Sequence, residues 1–303
     1  MLNKLRKKIN HLISGVIVPG FEGLSLFRVL HLFFKGIKDG VLHVRASSVA
    51  YNTILAFPPV IIFFFTLIPY IPVPNFDVQL MDLFANLLPI NSFKALEETL
   101  YEVVTHRSGG LMSFGFLASF IFSTNGMHNL IVSFNATSHD TESRNWFVIR
   151  STSFLMVLLQ ALLVTVAVAL LFYGKKGLNL LVENDIVVKN ITYYLLLVGK
   201  WVVIIILFFS AISSLYLMAP VKKENWRFLS GGAILATILC LLASLAFSYF
   251  VNNFGQYNKL YGSVGSLMAS MLWIYLNCFS VILGFELNAS IKSAARVHEK
   301  TFE

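Results

Sequence analysis

The chain reads as an all-α membrane protein, a six-transmembrane-helix bundle with an N-terminal amphipathic interfacial helix. Three observations predict this. Of its 303 residues 57% are hydrophobic and only 13% are charged, where a soluble globular chain carries about 25% charged residues. Six apolar runs are each long enough, at about 1.5 Å per residue, to cross a hydrocarbon core about 30 Å thick. The basic residues, finally, are sorted to one side of those runs.

Residues 1–46 carry eight Lys or Arg against two acids. Within them Leu24, Phe27, Leu30, Phe34, Ile37 and Val41 recur at helical spacing, broken by Arg28, Lys35 and Lys38. That pattern fits a helix lying in the interface rather than crossing it. Spans are expected at about 47–70, 110–134, 147–173, 193–218, 228–250 and 263–290, forming one transmembrane domain over 47–290. The loop 72–109 shows Val78, Leu80, Leu83 and Leu87, then Leu96, Leu100 and Val103. It is expected to hold two short amphipathic helices at the membrane surface. Residues 291–303 form a tail, and no loop is long enough to build an appended soluble domain.

Charge fixes the expected orientation. Sixteen Lys and Arg fall on the side of the N terminus, Arg150 at the mouth of the third span included, and six on the other side. The second side also holds five acids in its long loop, Asp77, Asp82, Glu97, Glu98 and Glu102. By the positive-inside rule both termini are cytoplasmic, and six spans agree with that. The net charge of +8 points to anionic lipid surfaces rather than nucleic acid. Lys200, left inside the fourth span, is expected to snorkel outward beside Trp201.

Glu286 is the one acid placed in a span. A carboxylate there costs roughly 2.5–3.5 kcal/mol on insertion scales, so it requires a partner or water. Arg45, Ser48 and Asn52 share a face at the start of span one, and Asn125, His128 and Asn129 share one near the end of span two. Asn288 adds to them from span six. All lie at one level, which predicts a polar cluster or a cytoplasm-facing cavity that binds a substrate. Glu286 has three readings: a structural ion pair with Arg45, a substrate or proton site, or a solvated carboxylate. Span six has polar groups on two sides, Asn277, Gly284 and Asn288 on one and Glu286 on the other, so protein neighbours are expected on both. Pro58 and Pro59 free the carbonyls of Ile54 and Leu55 and predict a kink or hinge.

Enzyme signatures are missing: there is no Walker loop, G-x-G-x-x-G, H-E-x-x-H or G-x-S-x-G. His128 has no second ligand at metal-binding spacing, so neither metal nor cofactor is expected. Cys240 and Cys278 read as small apolar fillers. The basic start, followed by a short interrupted apolar piece, does not read as a cleavable signal peptide.

The stretches RASSVAYNTILAFPPVIIFFFTLIP (45–69), STNGMHNLIVSFN (123–135) and WRFLSGGAILATILCLLASLAFSYFVNNFGQYNKLYGSVGSLMASMLWIYLNCFSVILGFELNAS (226–290) together resemble the YihY/virulence factor BrkB family of bacterial inner-membrane proteins. The pair Pro58-Pro59 stands where the family has one proline, and Phe285 where it often has Ala. The resemblance implies six spans and cytoplasmic termini in the inner membrane. Family members were once labelled ribonuclease BN, a label later judged mistaken, and relatives are associated with serum resistance and envelope lipid export. The function expected is transport or flipping of an envelope lipid or amphiphile. Arg45 would draw an anionic headgroup, Asn52, Asn125 and Asn129 would bond it, and the partners would be membrane lipids. A structural scaffold is the competing expectation; an ion channel finds no ring of charges.

Overall fold

A computed structural model of the chain describes residues 26–39, 41–67, 81, 101, 109–137, 143–183, 191–221, 227–253 and 255–299. Among these residues the chain forms seven helices and no strand. They are α1 (Leu26–Asp39), α2 (Leu42–Leu67), α3 (Gly109–Thr137), α4 (Trp146–Glu183), α5 (Ile191–Met218), α6 (Gly231–Asn253) and α7 (Gly255–Glu299). Each of the six stretches expected to span is helical over its described residues, except that 228–230 precede the start of α6. Among the described residues four segments are long and apolar enough to cross a membrane: Trp146–Ala167, Leu196–Met218, Gly231–Phe250 and Leu267–Ala295. The expected surface helices of the 72–109 loop lie outside the described residues, as do the first 25 residues and the end of the tail.

Two compact units are distinguishable, one formed by residues 1–50 with 127–303 and the other by 51–126. In the second unit α2 runs through Pro58 and Pro59 without ending. A Cβ on Gly115 would touch the Phe63 backbone nitrogen at 3.0 Å, so this glycine lets the chains approach closely. Phe63 and Phe116 pack beside it, ring centroids 5.4 Å apart.

The first unit carries the main core. Leu42, Ala46 and Val49 of α2, Leu130, Ile131 and Phe134 of α3, Met156 of α4, Ile212 and Tyr216 of α5, Ala233, Ala236 and Cys240 of α6, and Ile282 and Phe285 of α7 form one buried cluster. The α7 helix packs most extensively on α6. Polar side chains tie neighbouring helices together: Gln160 Nε2 donates to Ala211 O at 3.1 Å and Ser214 Oγ at 3.0 Å. Arg144 donates to Ala219 O at 2.9 Å just past the end of α5, and Asn135 Oδ1 accepts from Val221 N at 3.1 Å in the same turn. Both cysteines are free thiols. The Lys200 ammonium lies 5.2 Å from the Trp201 ring centroid.

The α1 helix has two apolar faces, where the sequence suggested one. Val29 and Phe33 are buried against Leu287, Ile291 and Ala294 of α7. Phe27 and Phe34, two of the six residues picked out by spacing, stay exposed on the opposite side. Spacing alone ranks apolar residues by periodicity; it does not know that α7 arrives to cover the other face.

Candidate functional site

The site is built around residues 282–290 of α7, buried throughout except at Leu283. One side of this segment meets α6 at backbone distance. A Cβ on Gly284 would collide with the carbonyl oxygen of Gly232 and come 2.6 Å from the Tyr216 hydroxyl. One turn on, Asn288 closes the start of α6: its Oδ1 accepts from Gly232 N at 2.8 Å and its Nδ2 donates to Ser230 Oγ at 2.9 Å. Ser230 itself accepts from Ala233 N at 3.3 Å, a helix N-cap. Phe285 stacks parallel on Phe134, centroids 4.1 Å apart at 4°, and Tyr216 meets both rings edge-on at 5.5 Å.

The other side of the segment faces α1. A Cβ on Gly36 would overlap the Glu286 carboxylate, so this glycine is the slot that receives it. Glu286 is only 6% exposed, and among the described residues no buried side-chain N or O atom lacks a hydrogen-bond partner. The two-sided reading of this helix is therefore correct: α6 lies against the face of Gly284 and Asn288, and α1 against that of Glu286.

Beside Glu286 lies a cavity of about 240 Å³ where four helices converge. Helix α1 contributes Leu32, Lys35 and Gly36; α2 contributes Arg45; the last turn of α3 contributes Ala136 and Thr137; α7 contributes Glu286, Ala289, Ser290 and Ser293. Arg45 is held by its Nη1, which donates to Thr137 Oγ1 at 2.9 Å, and more loosely by Nη2 to Ala136 O at 3.5 Å. A guanidinium at the carbonyl end of α3 complements the helix dipole, and it has further donors to offer.

Of the eight residues expected to form one polar site, six belong to the first unit and two to the second. Arg45 and Glu286 line the same cavity. Ser48 and Asn129 are joined, Asn129 Nδ2 donating to Ser48 Oγ at 2.7 Å and to Ser48 O at 3.1 Å. His128 is half-buried on α3. Asn52 and Asn125 belong to the second unit, where the Asn52 backbone packs against Gly126. Asn288 sits at the head of α6 rather than among the cavity residues. Lys35, Thr137, Ser290 and Ser293 are the cavity residues that sequence reasoning missed. For the serines a signal existed, since 286, 290 and 293 are spaced by four and three on one helical face.

Comparison with known proteins finds relatives named as membrane proteins. The virulence factor BrkB family matches residues 33–302. The ribonuclease-like protein YfkH of Bacillus subtilis is 28% identical over 84% of this chain and 92% of its own length. The UPF0761 membrane protein IL2447 of Idiomarina loihiensis is 30% identical over 69% of this chain and 71% of its own. A UPF0761 membrane protein of Histophilus somni is 25% identical over 88% and 92%. No solved structure matches. The matched region includes every residue lining the cavity except Leu32, and by that match the chain belongs to the virulence factor BrkB family of membrane proteins.

Proposed function

We propose that the chain is a multi-pass transport protein of the bacterial cytoplasmic membrane, moving an envelope lipid or amphiphile whose polar headgroup enters the cavity between α1, α2, α3 and α7. The observation that carries this reading is the cavity itself. It sets Lys35, Arg45, Glu286 and two serine hydroxyls around a small polar space in a helical membrane protein. In this reading α2 to α7 are the six spans, both termini are cytoplasmic, and the cavity opens to the cytoplasmic leaflet. The proline pair of α2 supplies the hinge. The reading needs no catalytic constellation, and the ribonuclease-like name is that of YfkH.

The test is translocation of fluorescent phospholipid in proteoliposomes containing the full chain. Arg45→Ala and Glu286→Gln are expected to stop translocation while the protein stays folded. Wild-type rates in both variants would overturn the transport reading.

A scaffold role is the second reading, favoured by how many polar side chains already bond neighbouring helices: Arg45 to Thr137, Asn129 to Ser48, Asn288 to Ser230. Exchange of the charges, Arg45→Glu with Glu286→Arg, separates the two. A scaffold in which the two opposite charges attract across the cavity regains its thermal stability in the exchanged protein. A transporter stays inactive in translocation.

A further inference from the structure

We infer that the cavity selects its occupant by charge, taking a phosphodiester headgroup with one negative charge and hydroxyls beside it over zwitterionic or doubly charged headgroups. This rests on the reading of the cavity as a headgroup site and names the class of headgroup.

Size comes first. Sites that bury a drug-sized ligand measure about 300–1,000 Å³. A cavity of about 240 Å³ holds a polar headgroup and leaves acyl chains outside it.

Charge then narrows the choice. Among the described residues lining the cavity, Lys35 and Arg45 are cations and Glu286 is the single acid. One formal positive charge is left over. A phosphodiester monoanion cancels it. A zwitterion can set its phosphate on Arg45 and its ammonium on Glu286, yet it carries no net charge and so leaves the extra positive charge of the lining unmatched. A phosphomonoester brings a second negative charge against the Glu286 carboxylate, and like charges at short range repel strongly where the dielectric is low.

Geometry assigns the contacts. Arg45 is pre-positioned by Thr137 at 2.9 Å and still has donors in the planar array that suits phosphate oxygens. Lys35, on the exposed side of α1, adds a second cation on a flexible stem. Glu286, Ser290 and Ser293 follow one another along a single face of α7. They offer an acceptor and two hydroxyls to the hydroxyl groups of the occupant. Glu286 is held in the slot at Gly36, so its negative charge is a fixed part of the wall.

The experiment is native mass spectrometry of the full chain exchanged into equimolar phosphatidylglycerol, phosphatidylethanolamine and phosphatidic acid. The wild type is expected to retain phosphatidylglycerol about tenfold over either competitor, a difference of about 1.4 kcal/mol. Glu286→Gln should shift retention toward phosphatidic acid, and Lys35→Gln, on an exposed helix face, toward phosphatidylethanolamine. Equal retention of the three lipids, or an order unchanged in both variants, would overturn the inference. Soluble glycerophosphoglycerol separates the sources of the chemistry. Displacement of the lipid only at much higher concentration identifies a lipid headgroup, whereas equal affinity identifies a free phosphodiester and keeps the charge rule while removing the lipid. No displacement at any concentration would mean that the acyl chains are recognised elsewhere, and the inference falls. Translocation without charge preference would remove this inference and leave the transport reading standing; charge preference without translocation would do the reverse.

Discussion

Gly232 and Gly284 bring α6 and α7 into backbone contact, each occupying the space that a Cβ on the other would need beside its carbonyl oxygen. Small residues at such crossings are how helices associate in lipid, where no hydrophobic force separates helix from solvent. Gly284→Ala also meets Tyr216 and the Cβ of Ala236, 2.7 Å away. Either Gly232→Ala or Gly284→Ala is expected to destabilise by about 1–3 kcal/mol or more, read as a lowered midpoint of thermal unfolding in detergent. A wild-type midpoint in both would show that the helices can part at no cost.

The stacked pair of Phe134 and Phe285 predicts a measurable coupling. Phe285→Ala leaves a cavity at the centre of the main core and is expected to cost about 3–5 kcal/mol. A double-mutant cycle with Phe134→Ala should return about 0.5–1.5 kcal/mol of interaction beyond area burial. Strict additivity would contradict the geometry.

The slot at Gly36 predicts a conditional defect. Gly36→Ala displaces the Glu286 carboxylate from its place, which strands a buried charge. Since the colliding atoms belong to the Glu286 side chain, Gly36→Ala made in a Glu286→Ala background should be nearly harmless. The two substitutions are therefore expected to be non-additive by about 1 kcal/mol or more, measured by denaturant unfolding of the four proteins.

Asn288→Ala removes the acceptor at the buried Gly232 amide and the donor to Ser230. Loss of such a cap costs about 0.5–2 kcal/mol. Amide exchange should accelerate in the first turn of α6 before it does in the middle of that helix. Uniform exchange along α6 would mean that the cap is not what orders its start.

Much of this architecture is legible in the sequence, because the bilayer demands long apolar helices and α7 declares its two polar faces by spacing. Glu286 and Asn288 are two residues apart, so on a helix they cannot face the same neighbour, and they do not. The partners are harder to read. Nothing local in Val29 and Phe33 says that α7, some 250 residues later, will cover them, and so nothing local says that Lys35 borders a cavity. The bonds of Asn288 to Gly232 and Ser230 depend on which helix comes to lie beside α7, and the spacing of polar residues within α7 does not say that. The join between Ser48 and Asn129 follows more directly, each lying on a polar face at the same depth.

The cap that Asn288 places on α6 also bears on how the protein is made. The first buried amide of α6 receives its acceptor from a residue synthesised more than fifty positions later, so until α7 is made that group must keep its water, a cost to burying this end of α6. The cost is removed only when α7 lies alongside. The two helices should therefore be accepted by the bilayer as a hairpin rather than in succession, and a chain halted between them would be a substrate for quality-control proteolysis despite having a sufficiently apolar α6.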